Sequence, residues 1–198
     1  MAQPMPTTIL KALVFATAGA ILTFLLVGMA LAKSWRVETE RTIAAPPERV
    51  AELVTDFSTW PRWSAMRADL GPQTSQTVAG TPHAVGQSIT WAGVRGRGFV
   101  EVTGTGAAFL DYVVRSQAPG PAPIEEFARG RVEWSADGER TKVRWREERA
   151  CEGTVERWFA WFGAIQEGVR RIQVSSLTGL AQALEMPAAE ASATTGAK

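Results

Sequence analysis

From Ala12 to Ala32 the chain runs for 21 residues without a charged side chain. At about 1.5 Å per helical residue this stretch measures roughly 30 Å, the thickness of a bilayer's hydrocarbon core. Gly19, Gly28 and two Thr interrupt its Leu, Ile, Val and Phe residues without creating a polar face, so a helix here has no side to turn toward water. Lys11 and Lys33 bracket the run, with Trp35 and Arg36 just beyond it, as where a helix leaves lipid through the interface. The segment reads as a single transmembrane helix, residues 12–32, behind a short tail, residues 1–11. Its rival is a cleaved signal peptide, since Ala30-Leu31-Ala32 has the small-x-small form of a cleavage site. Against that rival, signal h-regions usually run only about 7 to 15 residues. Lys33, Arg36 and Arg41 outnumber Lys11 and the terminal amine, so the positive-inside bias leans the remaining domain toward the cytoplasm.

Several function classes drop out on composition. With 21 Lys plus Arg against 20 Asp plus Glu, no net charge favours a nucleic-acid partner. A single cysteine, Cys151, forbids an internal disulfide, and with a single histidine, His83, the chain has too few ligands for a zinc site of the usual Cys/His kind. Gly93, Gly96 and Gly98 are spaced as turn residues and not as a phosphate cradle, so no cofactor or metal is called for. Eight Trp and eight Phe against one Tyr point to large apolar walls around a core or a pocket.

The pattern after residue 34 is that of an α+β domain, residues 35–185. Val37, Thr39, Arg41 and Ile43 share one face of a strand, and Pro47 then opens a helix with Val50, Leu53, Val54 and Phe57 on one side. Trp60-Pro61-Arg62-Trp63 makes a second short helical or turn segment, and residues 71 to 88 read as mostly loop. From Gln87 the chain reads as an antiparallel meander with Asp137-Gly138 as a hairpin turn. Apolar residues recurring at three and four from Trp158 to Leu184 predict one amphipathic helix of some 30 residues, ended by Pro187. Residues 187–198, rich in Ala, Ser, Thr and Glu, read as a disordered tail.

Four local motifs resemble the SRPBCC (START-like) superfamily, most closely its polyketide cyclase/dehydrase-like members. They are Thr42-Ile43-Ala44-Ala45-Pro46-Pro47-Glu48-Arg49-Val50, then Asp56-Phe57 through Trp60-Pro61-Arg62-Trp63-Ser64. Next come Gly86 with Trp91, Gly98-Phe99-Val100-Glu101-Val102-Thr103 and Tyr112, and last Asp137-Gly138 with Thr141, Val143 and Trp145. The resemblance covers about residues 36 to 184 and implies a helix-grip fold, a curved antiparallel sheet wrapped around a long C-terminal helix. It also implies a cavity between sheet and helix for a lipid, polyketide or other hydrophobic small molecule. It implies no single reaction, because the fold hosts binders and enzymes alike.

Within that frame Trp91, Tyr112, Trp134, Val143, Trp145, Trp161, Ile165 and Val169 are the expected ligand-lining residues. Alternation with Trp134, Val143 and Trp145 points Glu126 and Glu147 inward, where a desolvated carboxyl could move a proton. A strand-end twist or one bulge would return either of them to water. His83 reads as a solvated loop residue and Cys151 as a small apolar filler. The basic run Arg140, Lys142, Arg144, Arg146 and Arg149, interrupted by Glu139, Glu147 and Glu148, reads as a solvated sheet face. Three functions follow: a membrane-anchored binder of a hydrophobic small molecule or lipid, an enzyme using an inward Glu, or a partner-binding module with a filled core.

Overall fold

Period-two alternation between Ser34 and Ala150 resolves into seven antiparallel strands. In the computed structural model, which describes residues 7–71, 73–94, 96–121 and 123–185, these are β1 (Ser34–Ile43), β2 (Ser75–Ala79), β3 (Ser88–Gly93), β4 (Gly96–Gly106), β5 (Phe109–Gln117), β6 (Glu125–Asp137) and β7 (Arg140–Ala150). They form one curved sheet in the order β1-β7-β6-β5-β4-β3-β2. The helices are α1 (Thr7–Ala30), α2 (Pro47–Thr55), α3 (Trp60–Trp63), α4 (Met66–Leu70), α5 (Thr154–Trp161) and α6 (Ala164–Glu185). The expected tail at 187–198 lies outside the described residues.

The described residues group into two units, one built from residues up to 35 and from 150–165, the other from residues 36–149 and from 166 onward. In the second unit the inner sheet face carries Val100 and Val102 of β4, Leu110 and Tyr112 of β5, Val132 and Trp134 of β6, and Val143 and Trp145 of β7, all buried. Val50 and Val54 of α2, Trp60 and Trp63 of α3, and Leu177, Leu180 and Ala181 of α6 close over them in one core. Pro47 at the start of α2 has its φ preset for a helix and lacks only an N–H that the first turn leaves unpaired anyway. α6 comes so close to α3 that a side chain at Gly179 would run into the Trp63 backbone, and Ser176 accepts the Ala65 N–H at 2.9 Å.

Two elements differ from the expectation. The segment expected as mostly loop at 71–88 contains β2, an edge strand whose Ser75 and Thr77 are exposed and Gln76 half-buried, a composition that gives no apolar alternation. The single helix expected from Thr154 to Leu184 is two helices, broken at Phe162-Gly163, because Gly163 takes a left-handed φ of 76°. The apolar spacing carries across that break, so periodicity could not reveal it. A methyl at Gly163 meets open space, so Gly163→Ala adds only backbone strain. Thermal melts of the variant are expected to show a loss of about 1 kcal/mol, and unchanged stability would argue against the left-handed turn.

Candidate functional site

Three strands place three residues in one cross-strand row: Tyr112 of β5 lies opposite Gly130 of β6, and Gly130 opposite Glu147 of β7. The glycine makes the arrangement possible, since a Cβ at residue 130 would stand inside the Tyr112 ring. With no side chain there, the phenol crosses β6 and donates its O–H to Glu147 Oε1. The Tyr112 hydroxyl oxygen in turn accepts the Trp145 indole N–H at 2.5 Å. Trp145, Tyr112 and Glu147 are thus one connected polar chain inside an aromatic wall.

That wall comes largely from α3. Trp60 meets Tyr112 edge to face at 5.8 Å and Trp145 at 5.8 Å, while Trp63 meets Trp145 at 6.1 Å. The two α3 indoles are themselves satisfied, Trp60 donating to Val54 O at 2.9 Å and Trp63 to Thr59 Oγ1 at 3.2 Å. A void of about 10 Å³ lies beside Trp60, lined also by Pro61, Ser64, Met66, Arg67, Gln76 and Ile89, with room for about one water. Aromatic side chains therefore occupy the space over the polar chain, and a ligand would have to displace them.

The electrostatics of this row are unusual for a sheet. Glu147 as a residue keeps some accessible surface, yet its carboxyl is desolvated. Burial raises it from an ordinary value of 4.5 to about 7, and the Tyr112 hydrogen bond offsets only part of that. Burial, and then the negative charge of Glu147, hold the Tyr112 phenol well above its ordinary value. A carboxyl poised near neutrality, one hydrogen bond from a phenol that stays protonated, can accept or donate a proton or pair with a ligand's polar group.

The other expected residues separate into three groups. Trp91, Trp134 and Val143 are buried in the same core, Trp91 over Gly98, where a side chain would collide with its ring. Val169 of α6 is buried and Ile165 half-buried, whereas Trp161 stands on α5 with 61% of its surface exposed. Glu126 does not point inward. Val114 lies opposite Ala128 and Arg115 opposite Glu126, so Phe127 is an extra residue that reverses the alternation. Glu126 pairs with Arg129 at 2.7 Å beside an outer groove of about 380 Å³ that Asp111, Val113 and Arg115 also line.

His83 lies exposed in its loop with a left-handed φ of 62°, its Nδ1 2.7 Å from the Thr55 hydroxyl, and Cys151 is buried. The basic residues of β7 face acids of β1: Lys142 meets Glu40 at 2.7 Å, and Arg144 and Arg146 meet Glu38 at 3.3 and 3.1 Å. Gly130 was not singled out by the sequence reading. Its signal was a glycine on the apolar phase of a strand, between Arg129 and Arg131, which marks a close approach.

Residues 34–185 match the family described as "Polyketide cyclase / dehydrase and lipid transport", and the chain belongs to it. Among solved structures, one from Thermobifida fusca is similar at 24% identity over 74% of this chain and 90% of that one, with a TM-score of 0.52. One from Chromobacterium violaceum is similar at 17% identity, covering 77% and 98%, with a TM-score of 0.54. The Aha1 dimer from Colwellia psychrerythraea is similar at 15% identity, covering 77% and 97%, with a TM-score of 0.52. At these identities the likeness is one of fold. No curated protein sequence matches the chain.

Proposed function

We propose that the chain is a membrane-anchored START-like protein that binds a hydrophobic small molecule or lipid between its sheet and α6, with Tyr112 and Glu147 as the ligand's polar contact. The observation that carries this reading is the Trp145–Tyr112–Glu147 chain itself. A carboxyl taken out of water inside an aromatic core is expensive to hold, and a filled structural core has no use for it. A ligand with one polar end and an apolar body would use both the carboxyl–phenol pair and the Trp60, Trp63, Trp91, Trp134 and Trp145 surfaces once these swing aside. The family's description, with its lipid transport, supports the same class of ligand.

Anchoring is the second half of the proposal. α1 contains one window, Lys11–Ala30, long and apolar enough to cross a bilayer, and its large apolar side chains are exposed. The domain side is read as cytoplasmic from the Lys33, Arg36 and Arg41 excess. A cyclase- or dehydrase-type reaction is the second reading, favoured by the near-neutral Glu147 carboxyl, which would act as general acid or base.

Native mass spectrometry of the full-length chain extracted in mild detergent tests the proposal. A reproducible apolar adduct is expected, retained several-fold less well by Tyr112→Phe, which keeps the ring and removes the hydroxyl. Bare protein in every preparation would overturn the reading. Glu147→Gln separates the two readings, since a binder holds an adduct of the same mass, less well retained, whereas an enzyme accumulates unconverted substrate in place of product.

A further inference from the structure

Residues 158–165, Trp-Phe-Ala-Trp-Phe-Gly-Ala-Ile, form an uncharged apolar run that the binding reading leaves unused. They make up the second half of α5, the turn at Phe162-Gly163 and the first two residues of α6, and Phe159, Trp161 and Phe162 are 56%, 61% and 68% exposed. These rings are clustered: Trp158 and Phe162 stack at 5.8 Å, and Trp161 meets Phe162 edge to face at 5.0 Å. A soluble surface rarely gathers so much bare aromatic area in so few residues.

What covers them follows from how α5 packs on α1 within their common unit. Cys151 N donates to Lys33 O at 2.7 Å, beyond the end of α1. Arg157 donates to Met29 O at 3.1 Å, among the carbonyls that close the helix. Thr154 and Trp158 lie against Gly28, which has no room for a side chain, and Trp158 stacks on Phe24 at 5.0 Å while donating its indole N–H to Phe24 O at 3.2 Å. Successive α5 residues therefore meet successively earlier residues of α1, and α5 runs back along it antiparallel. Phe24 lies six residues before Ala30, or about 9 Å inside the helix end. The charged residues of the segment, Glu152, Glu156 and Arg157, all precede Trp158, on the side of the helix end.

We infer that α5 is a second membrane element, an aromatic wedge whose Trp158–Ile165 tip enters the interfacial and upper acyl layer beside α1. The inference rests on the anchoring reading, because it is the packing of α5 against the apolar window of α1 that carries the wedge into lipid. Arg157 then sits at headgroup level, its guanidinium on the last carbonyls of the span, and the indoles lie where Trp is favoured in bilayers.

The test uses the full-length chain with Cys151→Ser, reconstituted in phosphatidylcholine vesicles. A polarity-sensitive nitrobenzoxadiazole label is placed on Trp161→Cys or Phe159→Cys, and separately on Leu22→Cys within α1. Spin-labelled phosphatidylcholine is expected to quench the α5 labels at least twofold, while aqueous iodide leaves them bright. A label at 22 quenched by lipid with α5 labels open to iodide would overturn the wedge and leave the anchor standing. An unquenched label at 22 would overturn the anchor and the wedge built on it. Labels on α5 shielded from both quenchers would place a second copy of the chain on this face and also overturn the proposal.

Discussion

Replacing Gly130 by valine is expected to destabilise the domain by about 4 kcal/mol or more, enough to lose the folded protein from most preparations. The new side chain would occupy the place of the Tyr112 ring, which cannot retreat, because Trp60 and Trp145 hold its edges at 5.8 and 6.5 Å. Moving the phenol also strips the Trp145 indole of its acceptor and Glu147 of its donor. Overpacking of a core costs about 1–3 kcal/mol, and each buried polar group left without a partner a further 1–3. Gly168→Ala in α6 is the control, since a methyl there meets open space and helix propensity favours it. Adding Tyr112→Ala to Gly130→Val should recover part of the loss by vacating the space, a coupling that a double-mutant cycle reads directly. Strict additivity of the two changes would mean the phenol does not cross residue 130.

Glu147→Gln is expected to remove a pH dependence of stability. The folded-state value of about 7 lies above the unfolded value of about 4.5, so between these the folded protein binds more protons than the unfolded chain. Stability is therefore highest below about pH 4.5 as far as this group is concerned, and falls as pH rises through 7. The full difference corresponds to on the order of 3 kcal/mol. Glutamine keeps an acceptor for the Tyr112 hydroxyl and cannot ionise. The variant should match the native chain near pH 4.5 and exceed its melting temperature by several degrees at pH 8. Parallel melting curves across that range would show that the carboxyl is not desolvated.

Much of this site was legible from alternation alone. The even phase of β6 and the odd phase of β7 placed Trp134, Val143, Trp145 and Glu147 on one face, and they are found there because side chains in a strand alternate without exception until a residue is inserted. Phe127 is such an insertion, and a local pattern has no means of announcing it, so Glu126 went to the wrong face. Gly163 was hidden in another way: Trp158, Trp161, Phe162 and Ile165 satisfy helical spacing although the chain turns between them. Their apolar character reads as one buried stripe in a linear pattern, whereas Trp161 and Phe162 stand exposed. The reach of Tyr112 across β6 depends on three strands in register, a long-range property, although Gly130 on the apolar phase was its local trace.

Titration of the Glu147 carboxyl by ¹³C NMR, on full-length chain in detergent micelles, tests the central claim most directly. The measurement is made on delipidated protein and again after loading with total lipid extract from the expression host. A midpoint near 7 in the empty protein, displaced by at least about one pH unit on loading, is the expected result. A midpoint near 4.5, or one that stays put when lipid is added, would contradict a buried carboxyl that meets the ligand.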